Sequence, residues 1–340
     1  MPKEKEKAMI YVKTPGNDPA RHLATEYYFA TEQVLKDTVF VLWSTSPTLV
    51  VGKFQNTLEE INEQYVKEHG LHVVRRLSGG GTMYMDEGGW QFAFINSGAS
   101  RHIDFAQYVT PVITALKGMG ANAYMSGRND LLLDGKKFSG NSQFKVGSGG
   151  GREVTVHHGT LLYNTDLSRV AAATNVDPYK ITSKSIKSVR ERVTNIADHL
   201  ENPPSHQRFG ELLVAALMHH KTVEYHLSER ENARIEEIAE TIFRNKERLY
   251  GKNPPCTFKN VGRFEGGKVE AHLNVKGGVI SSCRLAGDFF GGEVELIEQG
   301  LAGCPYTPEA VLACLESLPE GLVYKVSTRQ LAELICAQGL

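Results

Sequence analysis

The stretch LHVVRRLSGGGTMYMDEGGWQFAFIN, residues 71–96, decides how the first part of the chain is read. Three strand-like runs, Leu71–Arg76, Thr82–Met85 and Gln91–Asn96, are separated by glycine-rich joints. Upstream, Val39–Trp43 and Thr48–Gly52 are predicted strands across a Ser-Thr-Ser-Pro turn. His22–Leu35 carries Leu23, Tyr27, Ala30 and Val34 at helical spacing, and Leu58–His69 reads as a helix ended by Gly70. Downstream, Phe105–Gly118 is predicted helical, and Leu131–Asp134, Lys137–Val146 and Glu153–Tyr163 are predicted strands. From Asp166 the pattern turns helical, most clearly at Gln207–His220 and Asn232–Asn245. Strands followed by helices imply an α+β fold: a large domain with a mixed or antiparallel sheet flanked by helices.

At Tyr250-Gly-Lys-Asn-Pro-Pro255 the texture changes, because Pro254-Pro255 forces extended backbone. Gly262–Phe264, Lys268–Val275, Gly278–Leu285 and Thr307–Leu318 then read as a small sheet with one helix. The expected division is 1–250 for the large domain and 251–340 for a small α+β C-terminal domain, with Gly251–Pro255 as the candidate hinge.

A chain of 340 residues, 41% hydrophobic, can bury a full core. Its formal net charge of −1 draws it neither to nucleic acid nor to an anionic membrane. Residues 1–8 are charged and lack the apolar run of a secretory signal, and nothing approaches the ~18 apolar residues of a spanning helix. The five cysteines, Cys256, Cys283, Cys304, Cys314 and Cys336, form no C-x-x-C pair and read as free thiols of a reducing cytoplasm. A cytoplasmic monomer is the expectation.

Four patterns carry chemistry. The three glycines after Arg75-Arg76 let successive N–H groups point into one concavity, an anion nest. Taken alone the loop is a nest or a plain connection, as the second Ser-Gly-Gly-Gly at 148–151 shows. Arg75 and Arg76 alternate across a strand, so only one can face the loop. Asn129 and Asp130 suit a ribose, a metal or a phosphate-bound water, and equally a strand-entry turn. Of Lys136 and Lys137 one should point inward, where an ammonium acts as a compact charge on phosphate and carboxylate oxygens. His157 and His158 should face opposite sides of a strand. The basic run from Lys184 to Asn195 is a solvated helix face or a docking surface for an acidic partner.

The order of these patterns resembles the lipoate–protein ligase A family along essentially the whole chain. Trp43, Gln55-Asn56, RRLSGGGTMY at 75–84, GRNDL at 127–131, KFSG at 137–140, HHGTLL at 157–162 and SVRERVTN at 188–195 fall in family order. The stretch NPPCTFKNVGRFEGGKVE with GDFFG at 287–291 is similar to the accessory domain of the Gram-positive branch.

The resemblance implies a biotin/lipoate ligase-like, class II synthetase-like core and a two-step reaction. ATP and lipoate, or octanoate, would give the acyl-adenylate; the acyl group would then pass to a lysine of a lipoyl-carrier domain, an E2 subunit or a glycine cleavage H protein. It implies Lys137 as the catalytic cation on the α-phosphate and the acyl carboxyl. Arg76, Ser78, Gly79, Gly80, Gly81, Thr82, Met83, Tyr84, Asn129, Asp130, Gly140, His158, Gly159 and Thr160 would bind ATP and lipoyl-AMP. Trp43, Met85 and Gly89 would border the lipoyl pocket, Lys184, Lys187 and Arg190 would meet the carrier, and Asp130 would hold Mg²⁺. The chain departs from the family where a His-Asp pair and Gly-Asn are replaced by Met85-Asp86 and Gly88-Gly89. Each change removes a polar group beside the adenylate pocket. An ATP-independent acyl transferase and a weakened lipoate-binding paralogue are the alternatives.

Overall fold

Runs of β-branched and aromatic residues that are apolar on both sides have to be buried on both sides. They form the central sheet of this computed structural model, which describes residues 9–98, 103–127, 129–147, 153–174, 192–218, 222–250 and 258–336. The strands of the large domain are β1 Met9–Lys13, β2 Thr38–Trp43, β3 Thr48–Val51, β4 His72–Arg75, β5 Met83–Met85, β6 Gly89–Ser97, β7 Tyr124–Ser126, β8 Asp130–Leu133, β9 Lys136–Gly147, β10 Glu153–Leu162 and β11 Thr222–Tyr225. Eight of them make one sheet in the order β11-β1-β2-β6-β10-β9-β8-β7. β1 pairs in parallel with β2 and β11, and the remaining pairs are antiparallel, so the sheet is mixed as expected. The parallel edge made by β1 and β11 was not foreseen, because β11 is four residues inside a stretch of helical texture.

One face of the sheet presents Val39, Val41, Ala93, Ile95 and Val156 to the helices Pro19–Thr31 and Glu229–Ile238. The other presents Phe40, Leu42, Phe92, Phe94 and Leu161 to Ala106–Gly118 and His206–Met218. The helix expected at 58–69 is two, Thr57–Glu60 and Glu63–Glu68. Ile61 leaves the helix to bridge Thr174, and the Asn62 side chain accepts from the Tyr65 N–H, which starts the second helix afresh.

A second sheet, β4-β3-β5, lies beside the first and carries residues 76–82 between β4 and β5. The small C-terminal domain has an antiparallel sheet of β12 Phe258–Phe264, β13 Gly267–Lys276 and β14 Val279–Gly287. Among the described residues three helices back it where one was expected: Glu295–Gly300, Pro308–Glu316 and Thr328–Cys336. The last buries Leu331, Ala332, Leu334 and Ile335 on one stripe at helical spacing. This domain rests on the large one: the Phe54 and Phe289 rings stack at 4.6 Å, Lys53 pairs with Glu295 at 2.8 Å, and Phe290 meets Phe105 at 5.3 Å. The Gly251–Pro255 region and the second Ser-Gly-Gly-Gly lie outside the described residues. Among the described residues no helix is long and apolar enough to cross a membrane.

Candidate active site

Strand register assembles the floor of the site. Asp130 pairs with Gly140, Thr160 with Gln91, and Gln91 with Trp43, while the Gly140 N–H donates to Thr160 Oγ1 at 3.2 Å. One rung therefore carries Asp130, Gly140, Thr160, Gln91 and Trp43 across five strands, all on one face. The next rung along holds Ser142 opposite His158. Because side chains alternate, His157 and Gly159 fall on the other face. His157 stacks on Tyr108 at 4.8 Å and bonds Gln143 and Asn141; burial, then the neighbouring His158, holds its pKa well below the usual imidazole range. A Cβ on Gly159 would sit 2.2 Å from Asn141 Oδ1 and 2.5 Å from the Phe92 ring. Gly159 is thus glycine for packing in the opposite layer, not for lining the pocket.

The glycine loop is held from within. Arg76, 2% exposed, donates from Nη1 to the Val50 carbonyl at 2.9 Å, from Nη2 to the carbonyls of Gly79 and Gly81 at 2.8 Å each, and from Nε to Ser78 Oγ at 3.1 Å. Four of its five N–H groups are spent on the loop and its neighbour. Arg76 was expected to hold phosphate; the structure gives its guanidinium to carbonyls that a tight turn leaves without partners. Burial, and then Arg75, pushes Arg76 down to about 9, so it stays charged at neutral pH. Arg75 turns the other way and clamps the carbonyls of Gly52, Gln55 and Leu249. Gln55, which the sequence offered only as part of a motif, accepts from both the Gly52 N–H and the Thr82 hydroxyl at 2.9 Å.

The three glycines have separate duties. A Cβ on Gly79 would lie 2.2 Å from the Phe289 carbonyl oxygen, and one on Gly80 2.8 Å from the Phe290 ring. The Gly80 N–H donates to that Phe289 carbonyl at 3.0 Å. Gly79 and Gly80 therefore admit the C-terminal domain. Gly81 has nothing within 4 Å of its Cβ position and is the open one. Phe289 and Phe290 were visible beforehand as GDFFG, but nothing in that string says what it touches.

Lys137 is the contrasting group. Its ammonium lies 2.7 Å from Asp130 Oδ1, with both side chains about 40% exposed (40% and 39%). A Cβ on Gly140 would be 3.2 Å from Lys137 Nζ and 3.6 Å from Met83 Sδ. Gly140 thus marks where the lysine from β9 and the methionine that follows the glycine loop converge. Asn129 braces this strand entry, donating from Nδ2 to the Asn141 carbonyl at 2.6 Å. Trp43 is buried, stacked on His22 at 4.6 Å, with its indole N–H on Glu26. Tyr84 points away into the core beneath β3, where burial and then Asp86 push its phenol up to about 12. Lys184, Lys187 and Arg190 lie outside the described residues.

The two departures at the rim are one structural event. A Cβ on Gly89 would lie 2.8 Å from Met85 Cε and 2.9 Å from Thr165 Oγ1. Met85 reaches into space that a side chain at 89 would need, so the thioether and the glycine go together.

The family description "Lipoyl protein ligase A/B catalytic domain" matches residues 18–218, and "Bacterial lipoate protein ligase C-terminus" matches 253–335. The chain belongs to the lipoate–protein ligase family. It is 38% identical over 291 residues to lipoate–protein ligase 1 of Staphylococcus aureus, covering 84% of this chain and 87% of the relative. It is also 38% identical over 318 residues to lipoate-protein ligase LplJ of Bacillus subtilis, covering 91% and 94%. Among solved structures, P. falciparum LipL1 in complex with lipoate shares the fold at TM-score 0.76 and 20% identity over 97% of this chain and 98% of that one. A bipartite lipoate protein ligase with its E2 lipoyl domain, from Thermoplasma acidophilum, aligns at 0.60 and 24% identity, covering 75% and 100%. A lipoate-protein ligase A bound with ATP aligns at 0.58 and 21% identity, covering 73% and 99%.

Proposed function

We infer that the protein is an ATP-dependent lipoate–protein ligase. A carboxylate oxygen of lipoate, or of octanoate, attacks the α-phosphorus of ATP and pyrophosphate leaves. The ε-amine of a carrier lysine then attacks the acyl carbonyl, AMP leaves, and the amine gives up a proton. Family membership supports this reading, and one observation carries it: a lysine held only by an exposed carboxylate, beside a glycine floor, among the described residues. Bringing a carboxylate to a phosphate sets two anions together, and Lys137 offsets the charge that builds between them. Met83 Sδ lies beside the same Gly140 position, and the Gly140 N–H donates to Thr160 Oγ1.

Asp130 fits Mg²⁺. No three His, Cys, Asp or Glu side chains converge on a metal among the described residues, but Mg²⁺ on a nucleotide uses one or two carboxylates and takes its other oxygens from phosphate and water. When bound, the ion neutralises phosphate charge. The described cysteines, Cys283, Cys304, Cys314 and Cys336, all lie in the C-terminal domain, which opposes transfer through a cysteine thioester at the Gly140 floor.

Incubating the protein with lipoate, octanoate or biotin plus ATP and Mg²⁺ should release pyrophosphate with lipoate and octanoate. Silence with every acid would sink the ligase reading. The carrier is a lipoyl domain of an E2 subunit or a glycine cleavage H protein, met by the run containing Lys184, Lys187 and Arg190. Charge reversal at Lys187 and Arg190 should weaken acyl transfer more than adenylation, and equal losses in both steps would remove the docking role.

A further inference from the structure

A continuous chain of buried polar groups runs from the helix Pro19–Thr31 to the glycine loop. Glu26 is 1% exposed, and no lysine or arginine pairs with it among the described residues. Its Oε1 accepts from Trp43 Nε1 at 3.1 Å, and its Oε2 lies 2.8 Å from His158 Nδ1. His158 Nε2 is 2.6 Å from Ser78 Oγ, which in turn lies 2.9 Å from Ser142 Oγ and 3.1 Å from Arg76 Nε. Arg76 then grips the carbonyls of Gly79 and Gly81.

Hydrogen counting closes this chain. With the proton of His158 on Nδ1, the imidazole donates to Glu26 and accepts at Nε2 from the Ser78 hydroxyl. Ser78 then spends its single hydrogen there and accepts from Arg76 and Ser142, so its own proton and both its lone pairs are used. The buried carboxylate at one end and the buried guanidinium at the other offset each other through an imidazole and a hydroxyl. Such a network is rigid when complete and costly when one member is lost.

Resting on the ligase reading, we propose that Glu26 is a positioning residue for acid activation: it fixes the His158 tautomer and, through Ser78, the shape of the 76–81 loop. A carboxamide at 26 cannot reproduce it. Glutamine can accept from Trp43 or from His158 with its oxygen, but its NH₂ then confronts the other donor. Aspartate is one methylene too short to reach both.

The test uses the full chain and the variants Glu26→Gln, Ser78→Ala and their combination. In wild type the ¹⁵N spectrum of His158 should show the Nδ1–H form, and Glu26→Gln should shift it. With lipoate, ATP and Mg²⁺, Glu26→Gln should lower kcat/KM for the acid by about 10-fold to 10²-fold, the scale of misplaced reacting groups. Ser78→Ala should do the same, and the double variant should be no worse than the poorer single one. An unchanged His158 spectrum and unchanged kcat/KM in Glu26→Gln, or additive losses in the double variant, would overturn the proposal. Should Glu26→Gln fail to fold, Ser78→Ala decides: wild-type kcat/KM in that variant also overturns it. If wild-type protein released no pyrophosphate, the ligase reading would fail, while the His158 spectra would still judge the chain.

Discussion

Arg76 and Lys137 are two cations of the candidate site, and they are held in opposite ways. Arg76 is buried and gives four N–H groups to oxygens of its own loop and the adjoining strand. Lys137 is two-fifths exposed and has Asp130 as its ion-pair partner. A group with four of its five donors taken by its own fold shapes its surroundings; one held by a single solvated ion pair, worth ~0–1 kcal/mol, can change partners when a phosphate arrives. Charge near a ligand site therefore divides into charge that builds the site and charge that works in it.

The sharpest way to break this contrast is to exchange the expected losses. Arg76→Met strands the carbonyls of Val50, Gly79 and Gly81 and should cost about 3–5 kcal/mol of folding stability in a denaturant titration, the scale for opening a buried charged network. If stability held and only nucleotide binding fell, Arg76 would belong with Lys137. Lys137→Ala should lower pyrophosphate release by ~10² or more, with unfolding shifted by less than ~0.5 kcal/mol. Near-wild-type adenylation would remove the lysine from its role.

Smaller effects sharpen the contrast within the loop. Gly79→Ala drives a methyl into the Phe289 carbonyl and should cost roughly 1–3 kcal/mol, read as faster amide exchange at Gly80. Gly81→Ala meets open space and should leave that exchange unchanged; equal exchange in both variants would refute the division of duties. At the rim, Gly89→Asn should destabilise more alone than in combination with Met85→His, by ~0.5–1 kcal/mol of coupling in thermal unfolding. Additive behaviour would separate the two positions again.

Much of this was legible beforehand, and the failures have physical causes. β6, β9 and β10 were readable because long β-rich runs bounded by glycine leave little alternative, and their order carried the family likeness. Lys137, Asp130, Gly140 and Thr160 are neighbours because a β-rung needs only register, which the strand runs supply. Arg76 misled because an arginine beside glycines offers donors, and nothing in a string of letters shows that the loop's own carbonyls need them more. Glu26 was invisible: a single glutamate on an amphipathic helix reads as a solvated residue, and only the fold brings His158 and Trp43 to it. Gly159 was misassigned because a glycine within a motif carries no sign of which face requires its lack of a side chain.

The hydrogen bond from the Gly80 N–H to the Phe289 carbonyl has a consequence for affinity. A ligand oxygen that uses this donor meets a competitor built into the same polypeptide. Such a rival cannot be diluted away, because its local concentration is set by the tether and not by the flask. The ligand's apparent dissociation constant is then its intrinsic one divided by the fraction of molecules in which the carbonyl has let go. Weakening the grip of Phe289 would tighten that ligand without adding a single contact to it.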